Sequence, residues 1–339
     1  MAPALLEAAA APAPAPEAAA GGSYAKEGDV TFGDAVKGEI GWVDLTGTQF
    51  QRKFRVQILG PPDKPPLIFV PGTLNDLRKP STLSAVTGPF AAEFRVITLD
   101  VRNAGETRPY TWEEDGAGEG YSHTAAYADD VAAVAVAVLG PEAKYFVAGF
   151  SSGASVAMWV AHRYPDRVRG CANIAGGFYP DRLSEFADGG MDDMQRLCGD
   201  ETHWVRDLLE DNFEKLSVVA NTQLKPGTPA LAQVVKSVEA ENAAVKAMEG
   251  FDEAAMKRGA YHLQVAVRAC GFPPKEELAK IAARTFIAGG RFDGLHKLAR
   301  MREMKKVMPA ATLEMFPAAH FQVCMYAAEK IAAFFKTLE

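Results

Sequence analysis

The stretch YFVAGFSSGASVAMWVAHRYP, from Tyr145 to Pro165, joins a short apolar run directly to a segment of helical pattern. Between them lies Gly149-Phe150-Ser151-Ser152-Gly153, which leaves almost no room for a loop. A turn this sharp crowds the backbone, so small residues are needed two positions before and after Ser151. The segment is either a tight corner alone or a turn that exposes the Ser151 hydroxyl for attack.

Apolar runs of strand length alternate with helical patterns on both sides of this stretch. PPLIFVPG (Pro65 to Gly72) and FRVITLD (Phe94 to Asp100) are typical of strands buried on both faces of a parallel sheet. Upstream, VTFGDAVKGEIGWVDL and FQRKFRVQILG flank a TGT turn and predict an antiparallel pair. Downstream, VRGCANIAGG, ARTFIAGG and ATLEMFP continue the strand series. The pattern predicts a mostly parallel central sheet flanked by helices.

Changes of composition divide the chain into three parts. Residues 1–28 begin with MAPALLEAAAAPAPAPEAAAGG, which offers little apolar surface to offset the entropy of ordering, and are predicted to be a disordered tail. Residues 29–177 and 284–339 carry the strand–helix alternation and are predicted to form the core. Residues 178–283 are mainly helical in pattern and are predicted to be a helical cap inserted late in the chain.

Charge and hydropathy disfavour nucleic acid and membranes as partners. The net charge is −7 over 339 residues, which is unfavourable for binding a polyanion or an anionic membrane. The longest apolar stretches, such as VAAVAVAVLG, are shorter than the roughly 18 residues that a membrane span needs. The N-terminal segment lacks the features of a signal or transit peptide, so a cytoplasmic location is expected.

Metal and cofactor chemistry are not indicated. The four cysteines, Cys171, Cys198, Cys270 and Cys324, form no CxxC pair, and no two histidines have ligand spacing. We therefore expect no metal and no cofactor, and we expect the cysteines to be buried free thiols.

The serine between two glycines, placed between a strand and a helix, resembles the nucleophile elbow of the α/β-hydrolase superfamily, and the resemblance covers nearly all of the chain after the tail. It implies a chain order of nucleophile, acid and base. Asp293, in ARTFIAGGRFDGLH, follows a strand where relatives carry the acid, although it could instead cap the next helix. His320, in EMFPAAHFQV, follows the last strand where they carry the base. Asp181 is the alternative acid.

The resemblance also implies an oxyanion hole of two backbone N–H groups. One comes from the residue after the nucleophile, Ser152, and the other from the turn in FVPGTLND, supplied by Thr73 or by Leu74. Relatives most often have His-Gly at that turn, whereas this chain has Pro71-Gly72. DVRNAGET (Asp100 to Thr107) resembles a further family segment that supports the fold rather than the chemistry.

These features predict a serine hydrolase that cleaves a carboxylic ester of a small, apolar substrate through an acyl-serine intermediate. A thioesterase, a C–C bond hydrolase and an acyltransferase would use the same three residues, and a ligand-binding receptor with little turnover is the alternative from another class. The oligomeric state is left open. The residues predicted to line the substrate pocket are Leu74, Phe150, Phe178, Trp204 and His296.

Overall fold

A nine-stranded sheet forms the centre of the computed structural model of this chain. The structure describes residues 22–32, 36–72, 77, 90–102, 104–107, 124–177, 271–293, 296 and 298–339, together with single positions between 229 and 251. The strands are β1 (Ser23–Phe32), β2 (Val36–Asp44), β3 (Lys53–Leu59), β4 (Pro66–Val70), β5 (Arg95–Leu99), β6 (Tyr145–Phe150), β7 (Val168–Ile174), β8 (Arg284–Gly290) and β9 (Thr312–Phe316).

Helices follow the later strands, as the alternating pattern predicts. They are α1 (Thr124–Leu139), α2 (Ser152–Arg163), the single turn α3 (Lys275–Leu278), α4 (Leu298–Val307) and α5 (Val323–Lys336), with a short 3₁₀ turn at His320–Gln322. Of the segment between β4 and β5 whose sequence looks like a connecting helix, near Ser81 to Phe94, only residues 90–94 are among the described residues.

The strand order is β1-β2-β3-β5-β4-β6-β7-β8-β9. From β5 to β9 every neighbouring pair is parallel, whereas β1, β2 and β3 join the sheet through antiparallel pairs. The mostly parallel sheet and the predicted antiparallel pair are therefore both confirmed. In such a sheet the carboxyl ends of β4, β6, β7, β8 and β9 meet at one edge, where α/β folds place their ligands.

Both faces of the sheet are buried, which explains the continuous apolar runs in the central strands. On one face α1, α2 and α4 cover a cluster that includes Val70, Val147 and Ile287. On the other face α5 and residues 90–94 cover a cluster rich in phenylalanine. In that cluster Phe146 and Phe335 stack with ring centroids 4.5 Å apart. The two clusters hold the strand ends, and the loops that follow them, at fixed positions.

The predicted N-terminal boundary is wrong by several residues. The sequence predicts residues 23–28 to be part of a disordered tail, but β1 begins at Ser23 and pairs antiparallel with β2, with Ser23 opposite Asp44. The segment SYAKEG has no apolar pattern of its own, and it is ordered because β2 supplies a backbone ladder for it to join. The remainder of the predicted tail, residues 1–21, lies outside the described residues.

The end of the predicted cap packs on the core. Leu278 of α3 is fully buried in the first cluster, together with Ala283. The indole Nε1 of Trp159 in α2 donates a hydrogen bond to the Gly271 carbonyl at 2.8 Å. Residues 271–283 are therefore anchored to α2, and most of the remaining predicted cap lies outside the described residues.

Within the described ranges, no helix is both long and apolar enough to cross a membrane. Cys171 and Cys324 are free and buried, and burial raises the pKa of both thiols. Cys198 and Cys270 lie outside the described residues.

Candidate active site

Ser151 occupies the single position between the end of β6 and the start of α2. Its backbone has φ 54° and ψ −121°, a left-handed conformation that residues with a side chain rarely adopt. The Ser151 N–H donates to the Ile174 carbonyl of β7 at 2.9 Å, so the sheet holds the turn in place. Ser151 is only partly buried, while Ser152 and the residues after it are buried. Strained backbone of this kind is concentrated at functional sites.

The two glycines of the turn are required by close backbone contacts. A Cβ on Gly149 would collide with the Gly153 carbonyl, and a Cβ on Gly153 would collide with the carbonyl oxygens of Val70 and Pro71. These obstacles are backbone atoms, which cannot rotate away as a side chain does. The spacing read from the sequence therefore has a steric cause: the elbow closes only if both flanking residues lack a side chain.

Asp293 and His320 form a buried pair across the same edge of the sheet. Asp293 Oδ2 lies 2.9 Å from His320 Nδ1, and the two side chains are 0% and 2% exposed. Burial by itself would raise the pKa of Asp293, but the neighbouring His320 and its hydrogen bond hold that pKa below its ordinary value, with a smaller contribution from His296. The carboxylate is therefore charged at neutral pH, and it favours the tautomer of His320 that carries a proton on Nδ1.

Backbone hydrogen bonds connect the loop that carries Asp293 to the loop that carries His320. The Arg291 N–H donates to the Phe316 carbonyl at 2.8 Å, and the Phe292 N–H donates to the Ala318 carbonyl at 3.1 Å. These bonds extend the parallel pairing of β8 and β9 past the strand ends. The acid and the imidazole are consequently placed by the sheet register and not by their own hydrogen bond alone.

Ring contacts place His320 next to the elbow. The Phe150 ring, one residue before Ser151, lies 5.0 Å from the His320 ring, and the His296 ring lies 5.2 Å from it. Phe150 is 1% exposed, so its ring supports the imidazole from within the core. Gly72 borders the other side of the elbow, where a Cβ on it would lie 3.1 Å from Ser151 Cβ. The pocket role predicted for Phe150 and His296 stays a prediction.

The predicted oxyanion donors are placed only in part. Ser152 is the first residue of α2, the end of a helix at which backbone N–H groups have no intrahelical acceptor. Pro71 and Gly72 follow β4 and adjoin the elbow. The other predicted site residues, Thr73, Leu74, Phe178, Trp204 and the alternative acid Asp181, lie outside the described residues.

Asp100 is a structural residue whose contacts were not predicted from the sequence. It is fully buried after β5, and its carboxylate accepts hydrogen bonds from the N–H groups of Leu77 and Glu106, both at 2.8 Å. Gly105 has φ 52°, and a Cβ there would collide with the Asp100 carboxylate. The DVRNAGET segment thus folds around Asp100. A charged residue directly after an apolar strand, followed by a glycine, was the available sequence signal.

Asn173 was also missed. It is fully buried in β7, and its side chain both accepts from the Gly176 N–H at 2.9 Å and donates to the Gly176 carbonyl at 3.1 Å. These two bonds close the turn after β7. The turn lies against the elbow, because a Cβ on Gly176 would collide with the Ala154 Cβ of α2. An amide inside an otherwise apolar strand was the signal that could have indicated it.

Comparison with known proteins places the chain in a family. Residues 65–324 match the α/β hydrolase fold family, and the chain belongs to that family. No curated protein matches the chain.

Solved structures resemble the chain in fold at low sequence identity. A bacterial membrane phospholipase A is 18% identical with a TM-score of 0.63, covering 93% of this chain and 87% of that one. A meta-cleavage product hydrolase from Pseudomonas fluorescens is 16% identical with a TM-score of 0.61, covering 86% and 96%. An esterase from Thermogutta terrifontis is 17% identical with a TM-score of 0.58, covering 93% and 99%. At these identities the likeness concerns the fold.

Proposed function

We propose that this protein is a serine hydrolase that cleaves a carboxylic ester, with Ser151 as nucleophile, His320 as general base and acid, and Asp293 as the carboxylate that orients His320. The observation that carries the proposal is the buried pair of Asp293 and His320, with 2.9 Å between Oδ2 and Nδ1, beside a serine in left-handed conformation. Membership of the α/β hydrolase fold family supports hydrolysis as the reaction class.

The proposed chemistry begins with acylation. Ser151 Oγ attacks the ester carbonyl while His320 accepts the hydroxyl proton, and the resulting imidazolium is stabilised by the Asp293 carboxylate. The tetrahedral intermediate carries its negative charge on the former carbonyl oxygen, which the N–H of Ser152 and a second N–H from Thr73 or Leu74 would stabilise. Its collapse breaks the bond to the alcohol oxygen, and the imidazolium gives its proton to the departing alcohol.

Deacylation repeats these steps with water. His320 accepts a proton from a water molecule, the hydroxide attacks the acyl-Ser151 carbonyl, and the second tetrahedral intermediate releases a carboxylic acid and the free serine. Every proton in the cycle is transferred through His320. Asp293 remains a carboxylate throughout, consistent with a pKa below its ordinary value.

Three considerations favour a small ester with an apolar group. The Phe292 side chain, directly before Asp293, is 42% exposed and offers apolar surface at the edge of the site. The net charge of −7 is unfavourable for polyanionic substrates. An esterase is among the proteins that share the fold. We propose a small-molecule substrate and a protein that works without a metal or an organic cofactor.

The experiment is a rapid-mixing measurement with p-nitrophenyl butyrate. The proposal predicts a burst of p-nitrophenol and, in samples quenched early with acid, a butyryl adduct that peptide mapping places on Ser151. The matched thioester and a vinylogous C–C substrate are measured in parallel, and the ester is expected to have the highest kcat/KM. A higher kcat/KM for the thioester or the C–C substrate would refute the assignment of bond type, and turnover without any acyl adduct would refute the mechanism.

A further inference from the structure

His296 lies inside the catalytic constellation, but the proposed reaction gives its side chain no role. Its ring centroid is 5.2 Å from that of His320, and the two planes are inclined by 52°. Its backbone N–H donates to Asp293 Oδ1 at 2.9 Å, which fixes the residue beside the carboxylate. The position of His296 is therefore determined by the same loop that places the acid.

The His296 side chain includes a polar atom that the described part of the chain leaves unsatisfied. Nδ1 is buried and has no hydrogen-bond partner among the residues that the structure describes. A buried polar atom without a partner is destabilising, and a leucine or valine could occupy the position without that cost. An unsatisfied imidazole next to the reacting atoms is therefore better explained by a ligand group than by packing.

The electrostatic surroundings of His296 decide which ligand group fits. Burial lowers the pKa of His296 to about 4, with Asp293 opposing this effect and His320 adding to it. The imidazole is consequently neutral at physiological pH, with one ring nitrogen as a donor and the other as an acceptor. A hydroxyl can pair with either nitrogen, whereas an anion would meet an uncharged ring beside the negative Asp293.

We propose that His296 is a specificity-determining residue that hydrogen-bonds a hydroxyl group on the alcohol portion of the substrate, so that the preferred substrates are monoesters of vicinal diols. This inference rests on the proposed ester hydrolysis at Ser151. The alcohol side is assigned because His320 must reach the departing alcohol oxygen to protonate it, and His296 is the neighbour of His320 on the loop of the acid. Hydrogen bonds span about 3 Å, so a two-carbon diol is long enough to reach both rings.

The test compares two esters that differ only by a hydroxyl in place of a methyl group, 2-hydroxyethyl butyrate and propyl butyrate. We expect the wild type to hydrolyse the hydroxyethyl ester with roughly tenfold higher kcat/KM, the size of effect that one hydrogen bond provides. In His296→Leu the ratio of the two kcat/KM values is expected to fall to about 1. His296→Asn and His296→Gln keep a hydrogen-bonding side chain, so at least one of them should restore part of the ratio.

His162 provides a matched control. It is also a partly buried histidine whose pKa is lowered first by burial, but it lies in α2 beside Glu277 and Trp159. His162→Leu is expected to keep the wild-type ratio. Circular dichroism and thermal denaturation of each variant establish that it is folded before its ratio is measured.

The outcomes separate this inference from the function on which it rests. A wild-type kcat/KM ratio of about 1, or a ratio that His296→Leu leaves unchanged, overturns the role of His296. In that case hydrolysis of propyl butyrate through an acyl-Ser151 still supports the proposed function. The assignment to the alcohol side is overturned if a 2-hydroxyacyl ester is preferred to the same ester without that hydroxyl while 2-hydroxyethyl butyrate is not preferred to propyl butyrate. If neither ester is hydrolysed and Ser151 is not acylated, the proposed function itself fails, and this inference fails with it.

Discussion

Replacing Asp293 with asparagine removes one charge and leaves the shape of the site almost unchanged. In the wild type the carboxylate faces His320 across 2.9 Å, with both side chains excluded from solvent. The centres of the two charges are farther apart than these two atoms, by the delocalisation of charge over the carboxylate and the ring. Opposite unit charges with centres about 4 Å apart attract by about 4 kcal/mol at an effective dielectric constant near 20. In the proposed mechanism this attraction acts when His320 becomes an imidazolium, so its loss would raise the barrier by about the same amount. At about 1.4 kcal/mol for each factor of ten, Asp293→Asn is expected to slow acylation roughly a thousandfold.

The rate constant for fluorophosphonate labelling of Ser151 is the appropriate measurement, because it reports activation of the serine without depending on the natural substrate. Asp181→Asn is the matched control, since Asp181 is the other candidate acid suggested by the sequence. We expect labelling of Asp181→Asn to proceed at the wild-type rate. If folded Asp293→Asn is labelled as fast as the wild type, Asp293 does not have the proposed role. Slow labelling of Asp181→Asn would contradict that role more sharply.

Three further predictions concern stability. Gly153→Ala should lower the free energy of unfolding in urea by about 1–3 kcal/mol, because the new Cβ would collide with backbone atoms. Gly28→Ala should change it little, because a Cβ on Gly28 has nothing within 4 Å. Equal losses of stability in the two variants would contradict the steric explanation. Asp130→Asn should lower the free energy of unfolding by about 3–5 kcal/mol in the same assay, because Arg102 loses its buried counter-charge. In the wild type the Asp130 carboxylate accepts hydrogen bonds from Arg102 Nε at 2.6 Å and from Arg102 Nη2 at 2.9 Å. A loss below about 1 kcal/mol would argue against a buried ion pair. The pKa of Asp293 is lowered by folding, so its stabilising contribution is present above its ordinary pKa and is lost as the pH falls below about 4. The difference in unfolding free energy between wild type and Asp293→Asn should therefore shrink in acid, and a difference that grew instead would give the shift the opposite sign.

The central strands could be predicted because strands that are buried on both faces have continuous apolar sequences. PLIFV in β4 and YFVAGF in β6 show no alternation of apolar and polar residues, and the short turns around them mark where each strand ends. By contrast, β1 gains its order from pairing with β2, and SYAKEG carries no local signal of that pairing. Propensity describes a segment alone, whereas edge strands depend on the partner that they meet.

The residues of the candidate site could be proposed from the sequence, but their geometry could not. Chain order and the resemblance to α/β hydrolases indicated Ser151, Asp293 and His320, yet only the register of β8 against β9 places Asp293 opposite His320. The buried contacts of Asp100 and Asn173 were not predicted, because the Leu77 N–H reaches Asp100 from another loop and the Asn173 amide bonds Gly176 only once the turn after β7 has formed. Hydrogen bonds from buried side chains to loop backbone leave only weak traces in a single sequence.

The central claim is that Ser151 is an activated nucleophile, and intact-mass analysis after treatment with a fluorophosphonate tests it most directly. The wild-type protein and Ser151→Ala are treated side by side, and both are checked for folding by circular dichroism. We predict a single adduct on the wild type, assigned by peptide mapping to Ser151 and not to the neighbouring Ser152, and no adduct on Ser151→Ala. A folded wild type that stays unlabelled, or a Ser151→Ala variant that is labelled as readily, would contradict the account.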